Sequence, residues 1–444
     1  MLMNVSHFAR AVFYSILMKK LIQAFLIIIF FSFSENTAFS IDISKAYSDV
    51  SKAFEIFIQK NEGETAFRSL LIPSGGRFEG LAYAFTALSN DISFFDANPA
   101  ASAVLQNTEL NFLHNSWIAD SKLETVGYTQ RKNNIGWGSS LRCFYIPFTE
   151  YGSLGEKKSS GFYSETFLTV NFAYNFIAGY NFKGLTIGGN LKLGIRAMPP
   201  FAGHDNETDS VSERIKKAKQ QNGYAVLGDF GILIRANLAK KFYDDEPNFY
   251  FGFIMKNFGT PIKGELPPSY ISIGIAYRPV SFFLFAVDIS QNIHLKKILS
   301  SGFPSASLGI MFSITKYFNL VTGFGIRGGN PHISLGGEVN LENIRINANY
   351  TLDMASQTVN LNRISLGIKI LLGDGGRKQQ KNKIEQLYLQ GLKEYNKKNY
   401  SGAIDIWKKI LETDKRFDPA REGIELAEKQ KKLQESLNKI LLLE

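Results

Sequence analysis

The stretch Leu185–Arg196, LTIGGNLKLGIR, decides the fold class of this chain. Its odd positions carry apolar side chains except at Gly189, and its even positions carry polar side chains or glycine. Because successive side chains of a β-strand point to opposite faces, this alternation predicts a strand with one apolar face and one polar face. A soluble sandwich would turn the apolar face to its core, whereas an outer-membrane barrel would turn it to lipid and line its lumen with the polar face. This strand alone is compatible with both.

Composition narrows the choice of fold. The chain has 444 residues, enough for two or more domains. A mean hydropathy of −0.08 with 20% charged residues argues against a polytopic helical membrane protein. The 38 glycines, 37 phenylalanines and 19 tyrosines fit many strands with tight turns and aromatic girdles. The net charge is +10, but lysine and arginine are spread along the whole chain, so we expect no nucleic-acid partner.

The N-terminal segment has the pattern of a secretory signal peptide. Lys19 and Lys20 precede the apolar run LIQAFLIIIFFSFS, and the small-residue exit Ala38-Phe39-Ser40 follows. We therefore expect a signal peptide over residues 1–40, with residues 1–17 as an upstream extension if translation starts at Met18. An uncleaved anchor helix is the alternative, although the run is shorter than a full membrane span. No later stretch approaches 18 apolar residues, so an exported chain of this kind could enter a membrane only as a closed barrel.

Period-two alternation recurs over residues 106–373 and predicts an all-β transmembrane barrel of about fourteen antiparallel strands. The alternating segments are 109–117, 122–131, 134–146, 162–182, 183–197, 222–238, 247–258, 268–279, 281–290, 304–315, 317–326, 332–340, 343–352 and 361–371. Connections after the third, fifth, seventh and ninth segments are long, while most of the alternate ones are short. Barrels of the outer membrane have long external loops and short periplasmic turns, so this parity favours a barrel over a sandwich.

The barrel interpretation assigns the polar faces to the lumen. The lumen-facing candidates are Asn190, Lys192, Arg196, Asp229, Arg235, Arg278, Arg345, Asn347 and Asn349. They could bind a substrate headgroup or tune a channel. Alternatively they pair with each other and with a segment inside the barrel, which is the interpretation we favour for any single residue. The apolar face of Leu185–Arg196 should then contact lipid.

The segment 41–105, between the signal peptide and the barrel, has an unusual sequence. Residues 41–58 have helical spacing. Residues 76–82 (GRFEGLA), 84–88 (AFTAL), 90–91 (ND) and 98–100 (NPA), followed by residues 114–120 (HNSWIAD), resemble the N-terminal signature of the PorV/FadL-like outer-membrane barrels. The similarity is greatest to the uncharacterised spirochaetal branch and covers residues 65–372, with Ala101 where those relatives usually have glycine.

The resemblance implies a hatch inside the barrel. The hatch motif candidates are Gly76, Arg77, Gly80, Asn90, Asp91, Asn98 and Pro99. It also implies uptake of hydrophobic compounds such as long-chain fatty acids, by ligand capture between the external loops and the hatch. The alternative is a PorV-like partner for interaction or assembly at the outer membrane. Membrane lipid and a hydrophobic small molecule are the expected partners.

The chain changes character after Gly373. Residues 374–383 read as a polar linker, and residues 384–444 read as helical with amphipathic spacing. Four positions resemble the packing positions of a tetratricopeptide-type helix pair: Gly391, Tyr395, Ala403 and Trp407. Pro419 is displaced from its usual position. An even number of strands puts both barrel ends in the periplasm, so we expect this module there, available to a periplasmic protein.

Motifs for catalysis and cofactors do not support an enzyme. Residues 323–328 match GxGxxG, but they end one predicted strand and precede another, whereas a dinucleotide fingerprint opens a helix. The five histidines are scattered without metal-ligand spacing. The single cysteine, Cys143, excludes an intrachain disulfide and a CxxC metal site. The sequence therefore predicts a non-enzymatic protein without cofactor or metal.

Overall fold

The computed structural model describes residues 65–152, 154–180, 182–199, 222–242, 246–262, 265–293, 304–327, 330–354 and 362–441. The predicted signal peptide and the predicted helix at 41–58 lie outside these residues. Among the helices within them, none is both long enough and apolar enough to cross a membrane.

Fourteen antiparallel strands follow one another around a closed barrel, and β1 pairs with β14 to close it. The strands are β1 Glu109–Ser116, β2 Lys122–Lys132, β3 Ile135–Tyr151, β4 Lys157–Phe176, β5 Phe182–Ala197, β6 Gly223–Ala236, β7 Phe249–Gly259, β8 Tyr270–Val280, β9 Phe283–Asn292, β10 Ser305–Thr315, β11 Phe318–Arg327, β12 Asn330–Asn340, β13 Ile344–Asp353 and β14 Arg363–Leu371. The predicted fold class is confirmed.

Strand β5 contains the stretch Leu185–Arg196, and its two faces differ as predicted. Leu191 and Ile195 are 62% and 50% exposed, whereas Asn190 and Lys192 on the other face are 5% and 4% exposed. The same outward apolar series occurs on β4, β13 and β14. Exposed apolar side chains therefore face outward on these strands, and the polar side chains that alternate with them point inward.

The β3–β4 hairpin is longer than the sequence predicts. The sequence predicts a long loop with the sequence TEYGSLGEKKSSG, residues 149–161, but the ladder continues through Thr149↔Ser160 to Tyr151↔Lys157. No residue from 145 to 151 is buried, and residues 147–151 alternate only between exposed and half-buried, so this extension has no buried face. Backbone pairing to the neighbouring strand is what defines it as β-structure.

Residues 65–108, which we call the hatch, fill the lumen. They form three 3-10 helices (Arg68–Leu71, Ile92–Asp96 and Pro99–Val104) and the short helix α1, Gly76–Gly80. Apolar side chains of the hatch are buried against inward-facing apolar residues of the wall. This core includes Phe78, Leu81, Phe85 and Leu88 from the hatch and Ala276, Leu284, Met311 and Val321 from the strands.

Three helices follow the barrel: α2 Arg377–Asn396, α3 Tyr400–Thr413 and α4 Asp418–Leu441. Helix α2 begins inside the segment that the sequence predicts as linker. Asp374 accepts hydrogen bonds from the backbone N–H groups of Gly376 and Lys378, at 3.0 and 2.6 Å. This capping allows α2 to begin in a stretch of sequence that has no apolar periodicity. The hydrogen bond from the Lys378 N–H also lowers the pKa of Asp374 below its ordinary value.

Candidate functional site: the hatch and the inner wall

A buried cluster of four charges joins the hatch to the wall, and we call it the latch: Arg77, Asp91, Glu338 and Lys369. Arg77 donates to Glu338 at 2.5 Å (Nη2–Oε1) and 3.1 Å (Nε–Oε2), which is the bidentate geometry of a strong ion pair. Lys369, which is 0% exposed, donates to Asp91 and also lies 3.4 Å from Glu338. Burial alone would raise the pKa of Asp91, but the charges of Lys369 and Arg77 hold it below its ordinary value.

A second polar anchor lies beside the latch. Glu79 on α1 accepts from Arg363 on β14 at 3.3 Å and from Thr351 on β13 at 3.0 Å. Arg363 also donates to the hydroxyl of Tyr83 at 2.7 Å. The hatch is therefore attached to β12, β13 and β14 by charged groups.

The Asn98-Pro99 motif attaches the hatch elsewhere on the wall through neutral hydrogen bonds. The Asn98 side chain donates to the carbonyls of Thr86 and Ile232, at 3.0 and 2.9 Å. It also accepts from the backbone N–H of Ala100, which caps the 3-10 helix beginning at Pro99. The Pro99 carbonyl accepts from Asn171 on β4 at 2.9 Å.

Inward-facing glycines of the wall allow the hatch backbone to approach closely, a role that the sequence analysis missed. A Cβ at Gly136 would lie 2.1 Å from the carbonyl carbon of Ser102, and one at Gly188 would lie 2.6 Å from the Pro99 oxygen. The first glycine of the 323–328 match has the same explanation, because a Cβ at Gly323 would lie 2.5 Å from the carbonyl carbon of Leu81. Glycine on a predicted inward face is the only local signal for such contacts.

The hatch motif glycines have related roles. Gly76 has a positive φ of 69°, a backbone conformation that favours glycine. A Cβ at Gly80 would lie 2.6 Å from Val321 on β11. Asn90, the remaining motif candidate, accepts from Arg77 at 3.0 Å and so belongs to the surroundings of the latch.

Five of the predicted lumen-facing residues are paired within the barrel. Asp229 accepts from Lys192 and from Asn190, each at 2.8 Å. Arg196 donates to Glu265 at 2.6 Å. The amide of Asn349 donates to Ser365. Asn347 is buried, and neither polar atom of its side chain has a hydrogen-bond partner among the described residues.

Three arginines of that set lie toward the short-turn end of the barrel. Arg235 donates to the carbonyl of Lys183 at 3.3 Å, and Arg278 donates to the carbonyl of Glu246 at 3.2 Å. Arg345 is half-buried near the start of β13. The candidates therefore form several small groups and do not converge on a single site.

A small cavity lies between the hatch and the wall, toward the ends of β8–β11 that carry the long loops. It is lined by Phe78, Tyr83, Thr86, Ile254, Tyr270, Ser272, Asp288, Ser290, Ser305, Ser307 and Arg327. The guanidinium of Arg327 lies over the rings of Tyr83 and Tyr270, 5.0 and 5.8 Å from their centroids. With about 30 Å³ the cavity has room for one or two water molecules. Entry of anything larger requires the hatch to move.

In the C-terminal helices the four predicted packing residues do come together. Trp407 and Ala403 on α3 are buried in one cluster with Ile384 and Ile410, and Tyr395 packs against it. A Cβ at Gly391 would lie 2.2 Å from the Trp407 indole nitrogen, so the glycine allows α2 and α3 to approach. The helices also contact the barrel at the β4–β5 turn, where the Phe417 ring packs against that of Tyr180.

Sequence comparison assigns the chain to a family. The model of the Uncharacterised protein family (UPF0164) matches residues 43–375. The chain belongs to this family. One UPF0164 protein of Treponema pallidum (strain Nichols) is 34% identical over 394 residues, covering 85% of this chain and 86% of the relative. Another from the same organism is 27% identical over 391 residues, covering 82% of this chain and 76% of the relative.

Solved barrels show weaker similarity to this UPF0164 protein. The toluene transporter TodX of Pseudomonas putida aligns at 12% identity with a TM-score of 0.44, covering 64% of this chain and 94% of TodX. A FadL homologue of Pseudomonas aeruginosa aligns at 11% identity with a TM-score of 0.40, covering 66% of this chain and 97% of the homologue. Groups of histidine, cysteine or carboxylate side chains suited to a metal ion do not occur among the residues that the structure describes.

Proposed function

We propose that this UPF0164 protein is an outer-membrane barrel that admits hydrophobic compounds, such as long-chain fatty acids, when its hatch moves. The observation that carries the proposal is that a segment of the chain itself closes the lumen, through side-chain contacts that can break. The outward apolar band supports insertion into lipid. The signature shared with PorV/FadL-like barrels supports the choice of ligand.

The cavity beneath the long loops suits an amphiphile with an acidic headgroup. Phe78 and Tyr83 belong to the hatch, whereas Tyr270 and Arg327 belong to the wall. An apolar tail entering this cavity would compete with Phe78 and Tyr83 for the same wall surface, while Arg327 would receive the carboxylate. Ligand binding would then favour the displaced hatch over the seated one, which couples capture to opening.

Uptake of labelled oleate tests the proposal in a bacterial host that has an outer membrane but lacks its own fatty-acid transporter. Cells making the full chain should accumulate oleate faster than cells with an empty vector. Arg327→Gln should reduce that rate several-fold, whereas Lys157→Gln, on an exposed part of β4, should leave it unchanged. Equal uptake with and without the protein would contradict the proposal.

We expect the short turns of the inserted barrel to face the periplasm. Helices α2–α4 lie on the same side of the barrel as these turns. A tag at the C-terminus should therefore resist protease in intact cells and be cleaved after the outer membrane is permeabilised. Cleavage of the tag in intact cells would contradict this orientation, because the short turns and the C-terminal helices would then lie outside the cell. Retention of the protein in the membrane pellet after carbonate extraction separates the barrel from a soluble exported protein.

A second function, a PorV-like partner in interaction or assembly, is favoured by the C-terminal helices. Their tetratricopeptide-like core around Trp407 is complete without the outer surface of α4, where Leu426 and Leu433 are 55% and 56% exposed. These leucines are seven residues apart, so they share one side of the helix. Capture of a periplasmic protein by the full chain, lost with Leu426→Glu and Leu433→Glu together, would support this role. Oleate uptake unaffected by the same pair would separate it from transport.

A further inference from the structure

The hatch enters the barrel at one mouth and leaves it at the other. Residues 65–72, which we call the entry segment, lie at the mouth that carries the long loops. Thr65 forms a β-bridge with Leu266 in the connection between β7 and β8, and the backbone N–H of Ala66 donates to the Leu266 carbonyl at 3.0 Å. Because this connection joins the loop-side ends of the two strands, the hatch begins on the loop side of the barrel.

Two further contacts hold the entry segment at the same mouth. Phe67 is buried in one apolar cluster with Ile262 of the β7–β8 connection and with Ala225, close to the loop-side start of β6. Arg327 ends β11 at that mouth and donates to the carbonyl of Leu71 at 2.9 Å. One connection and the ends of two other strands thus place the entry segment at the long-loop mouth.

Contacts farther along the hatch lie progressively nearer the opposite mouth, which carries the short turns. The backbone N–H of Thr86 donates to Asp288, in the middle of β9, at 2.8 Å. Ser102 lies against Gly136, the second residue of β3, at the short-turn end of that strand. The path of the hatch therefore follows the barrel axis from the long-loop mouth to the short-turn mouth.

The hatch leaves the barrel at the short-turn mouth and continues directly into the wall. The backbone N–H of Thr108 donates to the carbonyl of Gly373, and that of Leu372 donates to the carbonyl of Thr108, each at 2.8 Å. Strand β1 begins at the next residue, Glu109. We call residues 105–108 the exit segment, and it lies at the mouth opposite to the entry segment.

We propose that the entry segment is exposed at the cell surface, so that the chain crosses the outer membrane through the lumen of its own barrel before it enters the wall. The assignment to the cell surface rests on the proposed function, in which the short turns face the periplasm, whereas the path through the lumen rests on the contacts alone. Arg68 of the entry segment is exposed, although its neighbours Phe67 and Ser69 are buried. A molecule outside the cell can therefore reach the hatch at Arg68 without passing into the barrel.

This path opens the two ends of the hatch to different compartments. The entry segment faces the exterior. The exit segment faces the periplasm, where Arg377 of α2 donates to the carbonyl of Gln106 at 2.5 Å. Gln106 is itself exposed, so each end of the hatch offers one accessible position for a chemical label.

Labelling of intact cells tests this path, with a maleimide coupled to a polymer too large to cross the outer membrane. Arg68→Cys and Gln106→Cys are each made in a Cys143→Ser background. Arg68→Cys should be labelled in intact cells, whereas Gln106→Cys should react at least tenfold more slowly until the outer membrane is permeabilised. Lys157→Cys at the loop-side rim and Lys132→Cys at the short-turn rim, both exposed in the wall, are the matched controls.

The controls separate the path of the hatch from the orientation of the barrel. Labelling of Arg68→Cys and Lys157→Cys in intact cells, with Gln106→Cys and Lys132→Cys protected, supports the proposal. Protection of Arg68→Cys while Lys157→Cys is labelled overturns the path, and so does equal labelling of the two hatch ends. Protection of both loop-side cysteines with labelling of both turn-side ones overturns the exposure at the cell surface. Migration of unboiled samples on a denaturing gel shows that each variant forms a barrel, and Thr65→Cys is a second reporter of the entry segment. None of these outcomes depends on oleate uptake.

Discussion

The latch makes a quantitative prediction about how firmly the hatch is held. Lys369→Met removes the ammonium from Asp91 and Glu338 while keeping a side chain of similar length on β14. Glu338 retains its bidentate bond to Arg77, but the positive charge nearest to Asp91 is then Arg77, at 3.7 Å. The seated hatch therefore contains a buried carboxylate whose main counter-charge is gone.

Breaking a buried ion pair on one side costs about 3–5 kcal/mol. The outward face of β14 and its backbone pairing are unchanged, so this cost falls on seating of the hatch and not on barrel closure. A free-energy cost of that size raises the fraction of molecules with a displaced hatch by about two to three and a half orders of magnitude. The conversion is that about 1.4 kcal/mol corresponds to a factor of ten.

A cysteine reporter in the hatch measures that fraction. Ser93 is buried two residues from Asp91, and its hydroxyl makes no hydrogen bond. In a Cys143→Ser background, Ser93→Cys should react with a water-soluble maleimide at a rate proportional to the displaced fraction. Lys369→Met should accelerate labelling at least a hundredfold.

Two further variants control this measurement. Lys369→Arg, which keeps the charge, should stay close to the parent rate. Adding Asp91→Asn to Lys369→Met should bring the labelling rate part of the way back to that of the parent, because the buried carboxylate without its main counter-charge is then gone. A labelling rate for Lys369→Met within threefold of the parent would refute the assignment of these residues as a latch.

Three other variants test separate parts of the structure. Gly188→Val should prevent the hatch from seating and expose it to protease. Gly189→Val on the outer face should not, because a Cβ there comes no closer than 3.2 Å to another atom. Equal protection of the hatch from protease in the two variants would contradict the glycine contacts. Leu191→Arg, near the middle of the membrane, should destabilise the assembled barrel by about 2–4 kcal/mol, measured by urea unfolding. Leu238→Arg in the β6–β7 turn should cost at most about 1 kcal/mol. Equal effects of the two changes would contradict the assignment of Leu191 to the lipid-facing surface. Trp407→Ala should destabilise α2–α4 by about 3–5 kcal/mol in thermal unfolding followed at 222 nm, and a loss below about 1 kcal/mol would contradict the packing of this core.

The strands could be predicted from sequence because burial in a barrel alternates with the pleat. In β14 the outward residues Ile364, Leu366 and Ile368 alternate with inward ones, so local pattern and structure coincide. The extension of β3 past residue 146 has no buried face, so burial does not impose an apolar alternation on its sequence. The start of α2 at Arg377 depends on capping by Asp374, which hydropathy does not register.

The candidate site was predictable only in part, because its contacts join distant segments of the chain. The sequence resemblance singled out Arg77, Asp91 and Asn98, and all three contact the wall. Their partners could not be inferred, since Arg77 and Glu338 are 261 residues apart in sequence. The contact between Gly136 and the hatch backbone could not be predicted either, because a glycine in a strand does not indicate which segment packs against it.

Locking the hatch to the wall tests the central claim most directly. The hydroxyls of Thr86 in the hatch and Ser272 on β8 lie 3.2 Å apart, so a cysteine at each position in the Cys143→Ser background should form a disulfide on oxidation. A pair at Ser334 and Thr351, whose hydroxyls lie 3.0 Å apart within the wall, is the matched control. Its oxidised and reduced states are compared with each other, because the cysteine at position 351 removes the hydrogen bond to Glu79 of the hatch in both. We predict that oxidation abolishes oleate uptake for the first pair, that reductant restores it, and that the control pair takes up oleate in both states. Uptake by the oxidised Thr86–Ser272 pair at the reduced rate would contradict a hatch that must move.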